Sequence, residues 1–339
     1  MQDLRAIFNP DVIKTFQVKQ PLEKAKFWQS GAFTSDTTLR PLLTSGSKTF
    51  QVPYINPIDA DLEANYSNTI FTDIAMPREI SAGATSGRAA YLNEGFLESS
   101  LQRFLLQKSP LQLMAGMIDD YWAKQADNRA IATLIGLRNY DQGQSGKPLT
   151  TDISKATADA GSGFDVNAFI DAEGTLDEAY QGGGLMIVHP LIATKMRKQQ
   201  LIEKLATTDN LPPVETYNGR QIITSKRATM IGKGANAKFV TYLLGRGAFA
   251  ADMVRGNNDL ELERTAATGN GSGHTTMWTR RNMLIHPQGF SFIAKDNQLT
   301  GGTKNEALSA SWEDLTNKDY WQLDEIPERV AIRFLITNL

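Results

Sequence analysis

Apolar positions in the first 44 residues form short clusters, such as Phe27-Trp28, that Pro10, Pro21 and Pro41 interrupt. No long period develops, and the segment 1–44 reads as an arm. From Lys48 the pattern changes. Phe50, Val52 and Tyr54 alternate with Thr49, Gln51 and Pro53, which is the period of a half-buried strand. The stretch to about Ala90 is polar, broken by Pro57, Pro77, Gly83 and Gly87, with few large apolar residues. Loops this long serve function or contacts made elsewhere. The part from about Ile55 to Ser86, with Asp59, Asp61, Glu63, Asn65 and Asn68 close together, is expected to be an extended β-hairpin with little to bury in its own chain.

Helical spacing follows. Asn93 is placed to cap a helix carrying Phe96, Leu97, Leu101, Phe104 and Leu105. Ser109-Pro110-Leu111-Gln112 supplies an N-cap, a proline at the first helical position and a capping-box glutamine. Behind it Leu113/Met114, Met117/Ile118 and Tyr121/Trp122 recur in pairs, and the stripe resumes at Ala130/Ile131 and Leu134/Ile135. A single helix from Pro110 to Asn139 would be ~45 Å long at 1.5 Å per residue. Its Met and aromatic residues read as core.

After a Gly/Ser/Thr-rich loop (141–163), α and β patterns interleave. Asp165 precedes a helix with Phe169, Ile170, Leu176 and Ala179, which Gly182-Gly183-Gly184 ends. Leu185-Met186-Ile187-Val188 is a buried strand, and His189-Pro190 opens a helix through Ile192 and Met196. Asn218-Gly219 between Val214 and Ile222-Ile223 predicts a type I′ hairpin turn. Further strands are expected at Phe239 to Leu244, Leu260 to Arg264 and Met277 to Ile285. The last has Val330, Ile332, Phe334 and Ile336 on one face. The class is α+β.

Length and charge narrow the function. At 339 residues the chain makes roughly two packing units of ~150 residues. Lys+Arg 35 against Asp+Glu 37 gives a net charge of -2, without the basic excess of a dedicated nucleic-acid binder. There is no cysteine, which removes disulfides, thiolate metal sites and cysteine nucleophiles, and suits a reducing compartment without proving one. No apolar run has signal-peptide form or the ~20 residues of a membrane span. The expectation is a soluble protein made in the cytoplasm, with no membrane partner.

Candidate chemistry is thin. A phosphate loop ending at Lys147 would need Gly at 141 and Ser or Thr at 148, where Asp141 and Pro148 stand. Gly232-Lys233-Gly234 reads as a surface loop, and Gly269-Asn270-Gly271-Ser272-Gly273 as a connection between strands. His189, His274 and His286 lack metal-ligand spacing, and local capping or turn roles account for them. No Gly-x-Ser-x-Gly elbow nominates a nucleophile. Glu261, Glu263 and Arg264 read as a solvated or intersubunit strand face. Lys48, near the loop base, reads as a surface lysine. Asn65-Tyr66-Ser67 and Asn270-Gly271-Ser272 match the glycosylation pattern and are discounted without a secretion signal. No catalytic, cofactor-binding or metal-binding residue is nominated, and no cofactor is expected.

The ordered pieces resemble a family. Phe27-Trp28-Gln29-Ser30-Gly31, Tyr121-Trp122-Ala123-Lys124, Leu134-Ile135-Gly136 and Asp171-Ala172 come first. Ile187-Val188-His189-Pro190, Thr216-Tyr217-Asn218-Gly219-Arg220, Tyr242-Leu243-Leu244-Gly245 and Gly247-Ala248-Phe249 follow. Glu263-Arg264 and His286-Pro287-Gln288-Gly289-Phe290 close the series. Their order resembles the major capsid (coat) proteins of tailed bacteriophages, which have the Johnson fold. Similar proteins often carry Gly-Asp after the first helix of the insert, where this chain has Leu176-Asp177-Glu178 and then three glycines.

The resemblance implies an N-terminal arm (1–44), an extended β-hairpin loop (45–90), a peripheral domain with a long spine helix (91–160 and 286–339), and an α/β axial domain (161–285). It implies a non-enzymatic structural protein that self-assembles into hexamers and pentamers of an icosahedral virion head around double-stranded DNA, bound without sequence specificity. Assembly would take place in the host bacterial cytoplasm. A portal protein is implied, and so is a separate scaffolding protein, because no long charged N-terminal extension is present. Two alternatives remain open at this point: an encapsulin-like compartment shell and an α/β hydrolase-like enzyme.

Overall fold

The computed structural model describes Phe27, Ser30 and residues 32–34, 40–55, 63–80, 82–106, 109–159, 161–205, 214–302 and 309–339. Most of the arm, including Trp28, Gln29 and Gly31, lies outside these residues. In chain order the described elements begin with β1 (Phe33–Thr34), α1 (Arg40–Ser45), β2 (Thr49–Ile55), β3 (Ala82–Arg88) and β4 (Ala90–Ser99). Three helices follow: α2 (Ser100–Leu106), α3 (Pro110–Ala115) and α4 (Ile118–Gly143). Next come β5 (Thr150–Asp152), α5 (Val166–Gly174), β6 (Leu185–Val188), α6 (Pro190–Lys198), β7 (Glu203–Leu205) and β8 (Val214–Tyr217). Then β9 (Arg220–Thr224), β10 (Met230–Ile231), β11 (Lys238–Leu244), β12 (Phe249–Thr265) and β13 (His274–Pro287). The chain closes through β14 (Phe290–Phe292), α7 (Trp312–Thr316), β15 (Trp321–Leu323) and β16 (Ile332–Asn338).

Two sheets carry the molecule. The larger has the order β5-β16-β11-β6-β9-β8-β7, with β10 also on β11. Its central strand β11 is buried on both faces, as its unbroken apolar run requires. Val240, Tyr242 and Leu244 meet Leu134 and Leu137 of α4, with Ile332, Phe334 and Ile336 of β16 on the same side. Phe239 and Leu243 meet Phe169 of α5 and Ile192 and Met196 of α6 on the other. The smaller sheet, β1-β12-β13-β4, is dominated by the antiparallel β12–β13 hairpin. Residues 256–259 of β12 form a bulge that faces only Arg280. Strand β16 joins the larger sheet, and β12 and β13 pair with each other and, through β13, with β4 in the smaller one.

The helix expected after Asn93 is corrected. Residues 90–99 are strand β4, paired with β13 from Ala90↔Met283 to Ser99↔His274. Even-numbered residues point inward. Ala90, Leu92 and Phe96 join the core under α4, Glu94 accepts the Tyr121 hydroxyl (2.8 Å), and Glu98 is buried. Period 2 governs this segment, and two carboxylates on the inner face hide it.

The single helix from Pro110 is also corrected, because the chain breaks at Gly116-Met117 between α3 and α4. Ser109 Oγ donates to Glu98 Oε2 (2.9 Å), and the same oxygen accepts the Leu111 N–H (3.1 Å). Helix α4 has 26 residues, ~39 Å at 1.5 Å per residue. Its first half packs on the smaller sheet through Ile118, Trp122 and Ala126, and its second half on the larger sheet. Gly136 permits contact with α7: a Cβ there would lie 2.0 Å from the Leu315 carbonyl oxygen.

The predicted turn at Asn218-Gly219 is present, with φ of 46° and 75°. A Cβ on Gly219 would lie 2.8 Å from the Gly182 carbonyl oxygen. Helix α5 stops at Gly174, so Leu176 and Ala179 fall beyond it.

Candidate assembly surfaces

The β2–β3 ladder runs from Thr49↔Arg88 to Ile55↔Ala82. Beyond it, residues 63–80 hold no strand and every one is exposed. Their polar side chains tie the two limbs together. Arg78 donates to the Glu63 carbonyl, Asn65 Nδ2 to the Met76 carbonyl (3.3 Å), and Asn68 Nδ2 to Asp73 Oδ2 (2.6 Å). The Ile70 N–H closes the tip on Asn68 Oδ1 (2.9 Å). With the polar groups used internally, the apolar ones face outward. Tyr66, Ile70, Phe71, Ile74, Met76 and Ile80 are all exposed, Phe71 completely. This corrects the reading of the loop as poor in apolar surface, since its large residues are spread through it without a recognisable period.

The stem is fixed to the body. The Ser86 N–H donates to Ser291 Oγ (2.9 Å), whose hydroxyl donates to Asp324. Arg88 Nη1 pairs with Asp296 Oδ1 (2.7 Å), and Lys48 lies 3.7 Å from Asp296. The Arg88 hydrogen bond holds the Asp296 carboxyl below its ordinary range. Under the stem, Phe50 meets His286 edge-on with centroids 5.2 Å apart. His286 is buried beside a cavity of about 20 Å³ that Arg88 and Arg129 also line. Among the described residues its Nε2 has no hydrogen-bond partner, and burial pulls its pKa down to about 4. This departs from the turn role expected for it.

A second surface lies on the smaller sheet. Among the described residues only β1 pairs the outer edge of β12, at Phe249 and Ala250, so no strand covers it from Ala251 to Thr265. Leu260 and Leu262 are exposed on that strand, as are Leu97 on β4 and Leu101 and Phe104 on α2. Glu261 and Glu263 are tied within the chain, to Arg280 Nη2 (2.9 Å) and the Trp278 indole N–H (2.8 Å).

The residues weighed for chemistry are dispersed. His189 Nδ1 accepts the Leu191 N–H (3.3 Å) and caps α6, and His274 Nδ1 lies 2.7 Å from Thr268 Oγ1. Lys147 and Lys233 are exposed in irregular segments between elements. Among the described residues no three His, Asp or Glu side chains converge on a metal-sized site, and no helix is long and apolar enough to cross a membrane. Another cavity, of about 40 Å³ between Phe27, Asp127 and Arg227, is large enough to hold water.

No family model matches the sequence. The chain is 26% identical over 329 residues to the major capsid protein of Bacillus phage SPP1, spanning 96% of this chain and 93% of that one. Its fold superposes on the capsid subunit of cyanophage Pam1 with a TM-score of 0.54 at 8% identity, over 100% of this chain and 99% of that one. The capsid of Helicobacter pylori bacteriophage KHP30 gives 0.52 at 8% identity, over 99% and 96%. The α+β fold is that of phage capsid subunits.

Proposed function

We infer that this chain is the major capsid protein of a tailed bacteriophage, a non-enzymatic subunit of the icosahedral head. The observation that carries this reading is the similarity to a phage major capsid protein along 96% of the chain, joined to the capsid-subunit fold. The protein is a component of the virion and works as a homo-oligomeric shell.

The finer parts follow the resemblance. Residues 1–44 are the arm, 45–90 the extended loop, 91–160 with 286–339 the peripheral domain, and 161–285 the axial domain. Helix α4 is the spine. Capsomers are hexamers and pentamers. The loop reaches over a neighbouring subunit, where its six large apolar residues become buried. Burial stabilises by about 1.5–3 kcal/mol for each such side chain, so the loop contributes to the lattice rather than to its own subunit. A scaffolding protein guides assembly and a portal occupies one vertex. The net charge of -2 limits repulsion among packed copies and keeps the shell from binding the packaged double-stranded DNA tightly.

Electron microscopy of the full chain, alone and with its scaffold, tests the reading. Capsomers or closed shells are expected, with DNA inside particles from infected cells. Cargo enzymes inside the particles would point to a compartment shell, and a small oligomer that never assembles would point to an enzyme.

A further inference from the structure

The chain has two Asn-Gly pairs on exposed turns, and the fold treats them differently. At Asn218-Gly219 the carboxamide is held: Nδ2 donates to Glu173 Oε2 (2.7 Å), and the Glu173 carboxylate is itself buried and paired with Arg220 (2.9 Å). At Asn270-Gly271, in the turn joining β12 to β13, both residues are exposed. Among the described residues no hydrogen bond engages the Asn270 side chain or the Gly271 N–H. The turn closes around them instead, through Gly273 N–H to the Thr268 carbonyl (2.9 Å).

We propose that Asn270 is a site of spontaneous covalent modification, converting to aspartate and isoaspartate, and that Asn218 is protected by its bond to Glu173. The step needs only water. The Gly271 nitrogen, giving its proton to solvent base, attacks Asn270 Cγ, and the bond from Cγ to Nδ2 breaks as that nitrogen takes a proton and leaves as ammonia. The resulting five-membered imide adds water at either carbonyl. Opening at Cγ gives aspartate, and opening at the main-chain carbonyl gives isoaspartate. No electron changes hands. Glycine is the successor that leaves the attacking nitrogen least hindered. At Asn218 the carboxamide is tethered away from that path, and the neighbouring carboxylate disfavours a negatively charged attacking nitrogen.

The modification changes more than charge. The adjacent Ser272 Oγ accepts the Leu101 N–H (3.2 Å), and the Gly273 carbonyl accepts the Ser100 N–H (3.0 Å). Isoaspartate lengthens the backbone beside these groups, so it loosens the start of α2. This inference does not depend on the capsid reading.

The test is to age the native full-length chain in mildly alkaline buffer and follow both peptides by mass spectrometry, with the urea-unfolded chain alongside. In the native chain the Asn270 peptide should gain the mass of an amide-to-acid change many-fold faster than the Asn218 peptide. In the unfolded chain the two rates should converge, and Asn270→Gln should abolish the increment in its peptide. Aged chains should show faster amide exchange at Ser100 and Leu101. Equal native rates at the two sites, a native Asn270 that stays unchanged while the unfolded chain converts, or unaltered exchange at α2 would each overturn the proposal.

Discussion

The loop 63–80 and the larger sheet both spend large apolar residues, but to opposite ends. In the sheet, Phe239, Leu243 and Phe334 are covered by helices of their own chain. In the loop, Ile70, Phe71, Ile74 and Met76 are covered by nothing in it, while the loop's polar groups bond to one another. The sheet therefore stabilises the subunit, and the loop holds its apolar surface outward, away from its own chain. Hydrophobic content alone does not separate the two. What separates them is where the polar groups find partners.

Four perturbations sharpen that contrast, ordered by their effect on subunit stability. In the sheet, Arg220 is wholly buried and donates to Glu173, the Leu244 carbonyl (3.1 Å) and the Tyr180 carbonyl (2.8 Å). Arg220→Ala leaves the Glu173 carboxylate buried and unpaired, and should cost about 3–5 kcal/mol by urea unfolding. An unchanged midpoint would mean that the charge is compensated elsewhere. Acid probes the stem. His286 has a folded pKa near 4 against 6.5 when exposed, so the unfolded chain binds the proton first as pH falls. Its contribution is complete above 6.5 and is lost towards 4, by on the order of 3 kcal/mol. His286→Phe should flatten that part of the pH dependence, and a variant as acid-sensitive as the parent would remove His286 as its cause.

Smaller effects come from the turn and the loop. Gly219→Ala forces a side chain onto a φ of 75° and should cost about 1–2 kcal/mol in thermal melting. Melting unchanged within error would show that the turn relaxes freely. Replacing residues 63–80 by a short Gly-Ser turn should shift melting least, since halving a loop changes closure entropy by only ~0.6 kcal/mol. Closed shells should nevertheless be lost. Normal shells from this variant would deny the loop its assembly role, and an unfolded subunit would make it part of the core.

Much of the fold was legible because local signals agreed with long-range packing. The β11 run, the Asn218-Gly219 turn and the capping role of His189 are examples. Strand β4 was not legible. Glu94 and Glu98 occupy its inner face, and the hydroxyls that satisfy them lie later in the chain, on Tyr121 in α4 and on Ser109 just before α3. The break after α3 was hidden because the apolar stripe continues through Gly116-Met117. The uncovered apolar surfaces were the hardest to see. Nothing local marks Ile74 or Leu262 as uncovered, since coverage depends on where distant strands end. Function was read from the order of many weak motifs, not from any one constellation.

Helix α4 has a mechanical consequence. It is pinned near one end by the Trp122 indole N–H on Thr279 Oγ1 (3.1 Å), and near the other by Asn139 Nδ2 on the Thr316 carbonyl (2.9 Å). Between these pins the rod crosses from one sheet to the other with no proline or glycine before Gly136, where α7 braces it. A beam clamped at both ends resists bending far better than one with a free end. A force applied at the β12–β13 hairpin therefore meets a continuous rod leading to the larger sheet, without a proline at which it could hinge.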